Sequence, residues 1–295
     1  GQRKLSMEHH VKTGLVVEGG GMKCAYNAGI LDAFIDHGIS FDYCIGVSGG
    51  AGNLATYLAG QRGRNIRFFT DHIHSPDYFG LRSLARTGNL FGLKYIYCDL
   101  SSSAGADPFD FPAFMANPAD YRAVVTNALT GKAEYFGREM LKLNDYRLFM
   151  ASSAIPVVSR PVVLNGTPYF DGGISDAIPV RRALEDGCEK LVVILSKTRD
   201  YIRKPQSMRA VYSAVCRKYP NIIKDISTRH ERYNRNFRDV FELERAGKAF
   251  VFAPSRSVHV GTYSMDEKAE RELYELGFSD FDARAGELRR FLAGE

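Results

Sequence analysis

Cysteine is scarce in this chain of 295 residues: Cys24, Cys44, Cys98, Cys188 and Cys216 are scattered, and no CxxC pair occurs. An odd count without paired spacing excludes a zinc ribbon and speaks against a disulfide framework. Reduced thiols in a cytoplasmic compartment are the simplest expectation. Long hydrophobic runs are missing too, with nothing near the roughly 20 consecutive apolar residues that span a bilayer. The opening stretch GQRKLSMEHHVKTG has no apolar core of the secretory-signal kind, so no signal peptide is expected in it. There is no internal repeat and no low-complexity linker. Histidines do not gather: His72 and His74 in DHIHS lack a third ligand nearby, so neither a metal site nor a cofactor is expected.

What is present is ordinary for a soluble globular chain, 45% apolar and 25% charged residues. The net charge of +5 is unevenly spread. Between Lys197 and Arg238 twelve Lys and Arg face three acids, so the rest of the chain is net −4. Such a segment is either a solvated helical face or a surface that meets anionic lipid headgroups or nucleic acid.

The first ~60 residues read as β-α-β-α, with TGLVVEG and YCIGV as strands. Ile30, Ala33, Phe34 and His37 fall on one helical face, and Gly38 is a natural stop. AGNLATYLAG is the second helix. Strands alternating with helices predict an α/β fold with a parallel sheet covered on both faces. Residues 75–120 read as a loop-and-helix insertion. RAVVTNALTGKAEYFG gives two strands joined at Gly131-Lys132. RPVVLNGTPYFDGG gives a hairpin turned at Asn165-Gly166. KLVVILS and AFVFAP are two further buried strands. Ile222, Ile226, His230, Tyr233, Phe237, Phe241 and Glu244 step by three or four along a helix. Residues 266–292 read as closing helices. The expected organisation is a tail over 1–12 and one domain over 13–295, with the basic helical segment 197–247 and the C-terminal helices packed on it as a cap.

Three stretches carry chemistry. Gly46-Val47-Ser48-Gly49-Gly50 matches G-x-S-x-G between a strand and a helix, the setting of a nucleophile elbow. Gly46 and Gly50 leave room for the tight turn. The bland alternative is a turn built from small residues. A serine alcohol needs a base. Asp171 ends a strand and is followed by Gly172-Gly173, although a simple turn aspartate reads the same way. His259 in SRSVHVG offers a Ser-Asp-His order instead, whereas His230 sits on an apolar helix face. Gly19, Gly20 and Gly21, ahead of Lys23 and Cys24, leave bare amides at a helix start and suit an oxyanion. Cys24 beside them would be an accessible thiol. The same glycines nearly fit a dinucleotide fingerprint with Asp42 as its acid, but that reading leaves Ser48 and Asp171 unexplained.

The order GLVVEGGGMKCAY, GVSGGAGN, ASSAIP at 151–156 and FDGGISDAIPV resembles the patatin-like phospholipases, from about Gly14 to at least Leu195. The resemblance implies a three-layer α/β/α sandwich and a Ser-Asp dyad without histidine or metal. By position, Ser48 resembles the nucleophile, Asp171 the base and Gly19–Gly21 the oxyanion loop. Lys23 stands where the family has a basic residue, more often arginine. Glu18 and Cys24 depart from the family pattern. The implied function is a lipid acyl hydrolase of phospholipase A, lysophospholipase or esterase type. Its substrate would be a phospholipid or another fatty-acyl ester, with peripheral membrane contact and no nucleic-acid partner. The aromatic stretch from Tyr78 to Tyr97 is the expected lip of an acyl channel. The rival reading is a catalytically idle lipid- or protein-binding regulator on the same scaffold. Oligomeric state is not legible in the sequence.

Overall fold

The computed structural model describes residues 9–263 and 265–295. The expected tail over 1–12 therefore falls largely outside the described residues. From His9 on, that part is docked: His9 pairs with Glu189 at 2.8 Å and His10 with Asp42 at 3.0 Å. The chain then runs β1 (Thr13–Val17), α1 (Ala25–Asp36), β2 (Tyr43–Val47) and α2 (Gly49–Leu58), the anticipated β-α-β-α start. A short helix α3 (Arg64–Arg67) follows, and α4 (Leu81–Thr87) and α5 (Phe111–Ala116) punctuate the insertion. Next come β3 (Asp120–Asn127), β4 (Ala133–Phe136), α6 (Arg147–Ser152), β5 (Val162–Leu164), β6 (Thr167–Asp171), α7 (Val180–Glu185) and β7 (Lys190–Ile194). The chain ends with α8 (Arg209–Val215), α9 (Pro220–Arg245), β8 (Ala249–Phe252) and α10 (Glu267–Ala293).

Eight strands make one sheet, with hydrogen-bonded neighbours β5-β6-β3-β2-β1-β7-β8 and β4 also paired to β3. The run β3-β2-β1-β7-β8 is parallel, and β4, β5 and β6 are antiparallel. Side chains alternate between two cores, as a period of two requires. Leu15, Val17, Cys44, Val192, Ile194 and Phe252 point into one core, which α1, α2 and α10 cover. Val16, Ile45, Val47, Leu191, Val193 and Val251 point into the other, against residues of α7 and α9. A sheet apolar on both faces needs a helical layer on each, which gives a three-layer α/β/α fold.

One feature of β3 positions the site. The amides of Asp120 and Ala128 donate to Asp42 and Pro168, that is, to the β2 and β6 segments, and that of Asn127 donates to Lys132 beside β4. Even-numbered amides of a strand share one edge and odd-numbered ones the other. So β2 and β6 lie end to end along one edge of β3, with β4 on the opposite edge. Val47 pairs with Val124, and Asp171 with the next residue, Val125. The two strands run toward each other, and their last side chains meet.

The C-terminal stretch corrects one expectation: it is a single 27-residue helix rather than several. It crosses α1 at two glycines. A Cβ on Gly29 would stand 2.1 Å from Tyr274 O, and one on Gly277 2.5 Å from Tyr26 O. The glycine inside α10 is thus a point of backbone approach and not a break.

Candidate active site

Ser48 follows β2 directly and caps α2 with φ 57° and ψ −130°. A non-glycine residue in such a conformation stores roughly 1–3 kcal/mol and persists only where its surroundings enforce it. Here they do. Ser48 N–H donates to Ser152 Oγ at 2.8 Å, and the Ser152 hydroxyl donates to Val124 O at 2.7 Å. Ser152 is fully buried and fills the gap where β2 stops and β6 has not begun. A Cβ on Gly46 would lie 2.7 Å from Ala51 Cα, and one on Gly50 2.7 Å from both Val17 O and Glu18 O. Those two glycines let the turn close with the Ser48 side chain held at the strand end.

Asp171 arrives from the opposite direction on β6 and is buried. Its carboxylate accepts from Gly173 N–H at 2.7 Å, and Ser48 lines the same cavity beside it. Burial raises the Asp171 pKa; the charge of Arg229, the Gly173 amide and the Ser48 hydroxyl hold it back, in that order. Gly172 has no room for a side chain, since a Cβ would stand 2.2 Å from Val124 O. Asp171 N–H donates to Ala154 O at 2.9 Å, so the 151–156 stretch braces both strand ends.

Gly19, Gly20 and Gly21 pass directly over this point. A Cβ on Gly19 would lie 2.9 Å from Ser48 Cβ, and Gly20 and Gly21 have φ of 147° and 57°. Glu18 N–H and Lys23 N–H are bonded to Ile194 O and Gly20 O, whereas the amides of the three glycines find no partner among the described residues. Unpaired amides beside a mostly buried hydroxyl are rare and make a ready anion site. Glu18, the departure from the family pattern, anchors the loop: it is buried and accepts from Ser196 N–H at 2.8 Å, Lys197 Nζ at 3.1 Å and the Tyr233 hydroxyl.

Two cavities meet at Ser48. One is apolar and narrow, about 70 Å³, and is lined by Met22, Phe68, Phe69, Tyr78, Phe91 and Ile96 among others. The Tyr78–Tyr97 stretch thus supplies several of its walls, while Leu81 and Leu84 of α4 stay exposed at the surface. The other cavity is polar, about 560 Å³, and holds Ser48, Asp171 and the glycine loop together with Lys23, Lys197, Arg203, Lys204 and Arg229. Lys23 therefore belongs to this basic wall; burial and then Lys197 lower its pKa. Sequence reading missed Arg229. It reaches in from α9, donates through Nε to Gly173 O at 3.1 Å, and is brought down to about 10 by burial and the neighbouring Arg203 charge. Ser152 was missed as well, although the ASSAIP stretch was the signal for it.

Other candidates lie elsewhere. His259 is exposed and lines neither cavity, so the triad order does not become a triad. His230 is half-buried on α9. His72 pairs with Asp107 and His74 with Glu267. Cys24 is fully buried with its thiol pushed up to about 12, which overturns the expectation of an accessible thiol. Asp42 precedes β2 and bonds Thr13 N–H at 2.9 Å, at the opposite end of the sheet from the glycine loop. A dinucleotide acid would be needed beside that loop, so the rival fingerprint fails on position.

The patatin-like phospholipase family model matches residues 15–184. The chain belongs to that family. A second model, described as a domain of unknown function (DUF6363), matches residues 219–293, which include α9 and α10. The chain is 29% identical over 269 residues to the uncharacterized protein YjjU of Escherichia coli (strain K12), covering 89% of this chain and 74% of that one. It superposes on the crystal structure of VipD from Legionella pneumophila with a TM-score of 0.47 at 13% identity, over 97% of this chain and 67% of that one. The family membership gives lipid esters as the substrate class, and no described helix is long and apolar enough to cross a membrane.

Proposed function

We propose that this protein hydrolyses fatty-acyl esters of lipids through an acyl-Ser48 intermediate, with Asp171 as the base and the amides of Gly19–Gly21 as the oxyanion hole. The observation that carries this reading is the head-on approach of β2 and β6, which faces the Ser48 hydroxyl toward a buried carboxylate under unpaired glycine amides. Ser48 Oγ attacks the ester carbonyl carbon while its proton passes to Asp171. Charge developing on the carbonyl oxygen is met by the glycine N–H groups, each such donor worth about 2.7–4 kcal/mol in the transition state. Collapse breaks the C–O bond, and the leaving alcohol takes the proton from Asp171. Water then attacks the acyl carbon, gives a proton to Asp171, and releases the fatty acid as Ser48 Oγ is reprotonated. Burial of Asp171 suits this role, because a more basic carboxylate is better matched to an alcohol proton.

The acyl chain is assigned to the apolar cavity. For peripheral membrane contact the support is the stretch 202–218, which starts at the wall of the basic cavity and exposes Ile202, Met208, Val211 and Val215 along with Lys204, Arg209, Arg217 and Lys218. The deciding experiment is labelling by a fluorophosphonate together with turnover of a lipid-ester panel in the presence of chelator. Both should be present in the wild type and absent in Ser48→Ala. Persistent turnover in Ser48→Ala would sink the assignment, and an unlabelled, inactive wild type would favour a binding regulator.

A further inference from the structure

The basic cavity holds more positive charge than the reaction described above uses. Five basic side chains face two carboxylates in it. Neither carboxylate is free to receive a cation. Glu18 is consumed by Ser196, Lys197 and Tyr233, and Asp171 faces Ser48 and Gly173. Two of the aromatic rings on its wall already carry cations: Lys197 Nζ lies 5.2 Å from the Tyr201 ring centre and 4.9 Å from that of Tyr233, and the Arg203 guanidinium lies 5.5 Å from Tyr233. A third ring, Tyr263, stacks on Phe79 at 5.4 Å. Lys23, Arg203 and Lys204 have no salt-bridge partner among the described residues, unlike Lys197, which holds Glu18 at 3.1 Å. Arg199 on the same segment, outside the cavity, is paired with Glu244 at 2.7 Å. Three cations without a salt-bridge partner among the described residues thus line the cavity that holds Ser48.

The surroundings decide the chemistry of the group that fits. A choline or ethanolamine headgroup brings a cation, which would meet like charges and find no spare carboxylate. A phosphate monoester brings two negative charges and three acceptor oxygens, which suit several Lys and Arg donors at once. We propose that the basic cavity receives the phosphate of a lipid whose headgroup is an uncapped phosphate monoester, and that such acyl lipids are the preferred substrates. This rests on the reading of Ser48 as the acylated group: the ester carbonyl sits at Ser48, the acyl chain in the apolar cavity, and the phosphate among Lys23, Arg203, Lys204 and Arg229. Arg203, Lys204 and Arg229 lie beyond residue 184, where the match to the patatin-like phospholipase family model ends, so the C-terminal part of the chain would set headgroup choice.

The test compares lysophosphatidic acid with lysophosphatidylcholine of the same chain length, both kept monomeric, alongside a neutral p-nitrophenyl ester. Wild type should show kcat/KM about tenfold higher for the phosphomonoester, the scale of one or two charge-assisted hydrogen bonds. Arg203→Gln should bring the ratio toward one mainly by raising KM for lysophosphatidic acid. Lys204→Gln should do the same to a smaller extent. Arg290→Gln, on α10 at the other end of the sheet, should leave the ratio unchanged. Excess inorganic phosphate should raise KM for lysophosphatidic acid without changing kcat. If phosphate instead alters kcat for the neutral ester, the cavity is an effector site for the free anion and the proposal falls. It also falls if wild type shows no preference, or if the preference survives Arg203→Gln. Turnover of all three esters, lost in Ser48→Ala but without preference, would remove the headgroup inference alone. Should wild type hydrolyse none of them, the catalytic reading fails. Equilibrium binding of the two lysolipids to Ser48→Ala then decides the headgroup inference, with equal affinities overturning it and tighter binding of the phosphomonoester supporting it.

Discussion

At Ser48 the backbone and the side chain answer different demands. The positive φ is held by Ser152, while the hydroxyl faces Asp171. Replacing Asp171 by Asn keeps the shape and removes the proton acceptor. Asp171→Asn should lower kcat by about 10²–10⁴-fold with little effect on thermal stability, and near-normal turnover would exclude Asp171 as the base. With Asp171 as the proposed base, active only when ionised, and with burial raising its pKa, kcat/KM should fall on the acid side at a pH above the usual carboxylate range. Arg229 is the largest influence opposing that rise. Arg229→Gln should therefore move the acid limb to still higher pH, and a limb that stays in place would show that the two groups do not communicate. A second buried acid has no part in this chemistry. Glu270 is fully buried, both its carboxylate oxygens lack partners among the described residues, and burial pushes it up to about 9. Its folded form binds a proton that the unfolded form has already lost, so between its ordinary value and about 9 stability declines as pH rises. Glu270→Met should stabilise the protein by up to about 3 kcal/mol at pH 7 and by little near pH 4 in paired melts. A pH-independent difference would refute this. The sequence offers no sign of such a group, because a lone glutamate in a helical run reads as solvated.

At the scale of elements, legibility followed local chemistry. Asn165 and Gly166, with φ of 48° and 80°, form the hairpin turn that their identity announces. The buried strands were equally readable, since each is bounded by glycine or polar residues. The ends of β2 and β6 meeting along β3 were not readable, because register between distant strands is set by the whole sheet. Nor was the role of α9: the spacing of Ile222, Ile226, Tyr233 and Phe237 shows which face is buried, but not that Arg229 beside it reaches Asp171. The closing segment, expected as several helices, is one helix that carries Gly277 and Gly286. The structure separates these two glycines. A Cβ on Gly277 meets backbone at 2.5 Å, whereas one on Gly286 has only the flexible end of Arg290 at 3.6 Å. Gly277→Ala should destabilise by about 1–3 kcal/mol through overpacking. Gly286→Ala should stabilise by roughly 0.5–1 kcal/mol through helix propensity. Thermal denaturation of the two variants with opposite signs would bear this out, and equal effects would not.

Over the whole molecule, the charge asymmetry seen in the sequence acquires a location. The excess on 197–238 folds back, so that part of it (Lys197, Arg203, Lys204 and Arg229) lines a cavity with Ser48, while Arg199, Arg209, Arg217 and Lys218 stay exposed. Composition alone left a solvated face equally open, since the side to which α9 turns depends on the sheet beneath it. The placement of Ser48 at the junction of a greasy chamber and a watery one has a kinetic corollary. On the proposed mechanism, once the acyl-enzyme has formed the departing alcohol vacates its own compartment while the tethered tail keeps the other occupied. Small hydroxylic compounds admitted to the emptied side then compete with water for the thus activated carbonyl. Glycerol added during turnover should divert part of the acyl group into acylglycerol, and glycerol 3-phosphate should divert more at equal concentration. A fatty-acid yield indifferent to both would mean that the two compartments empty together.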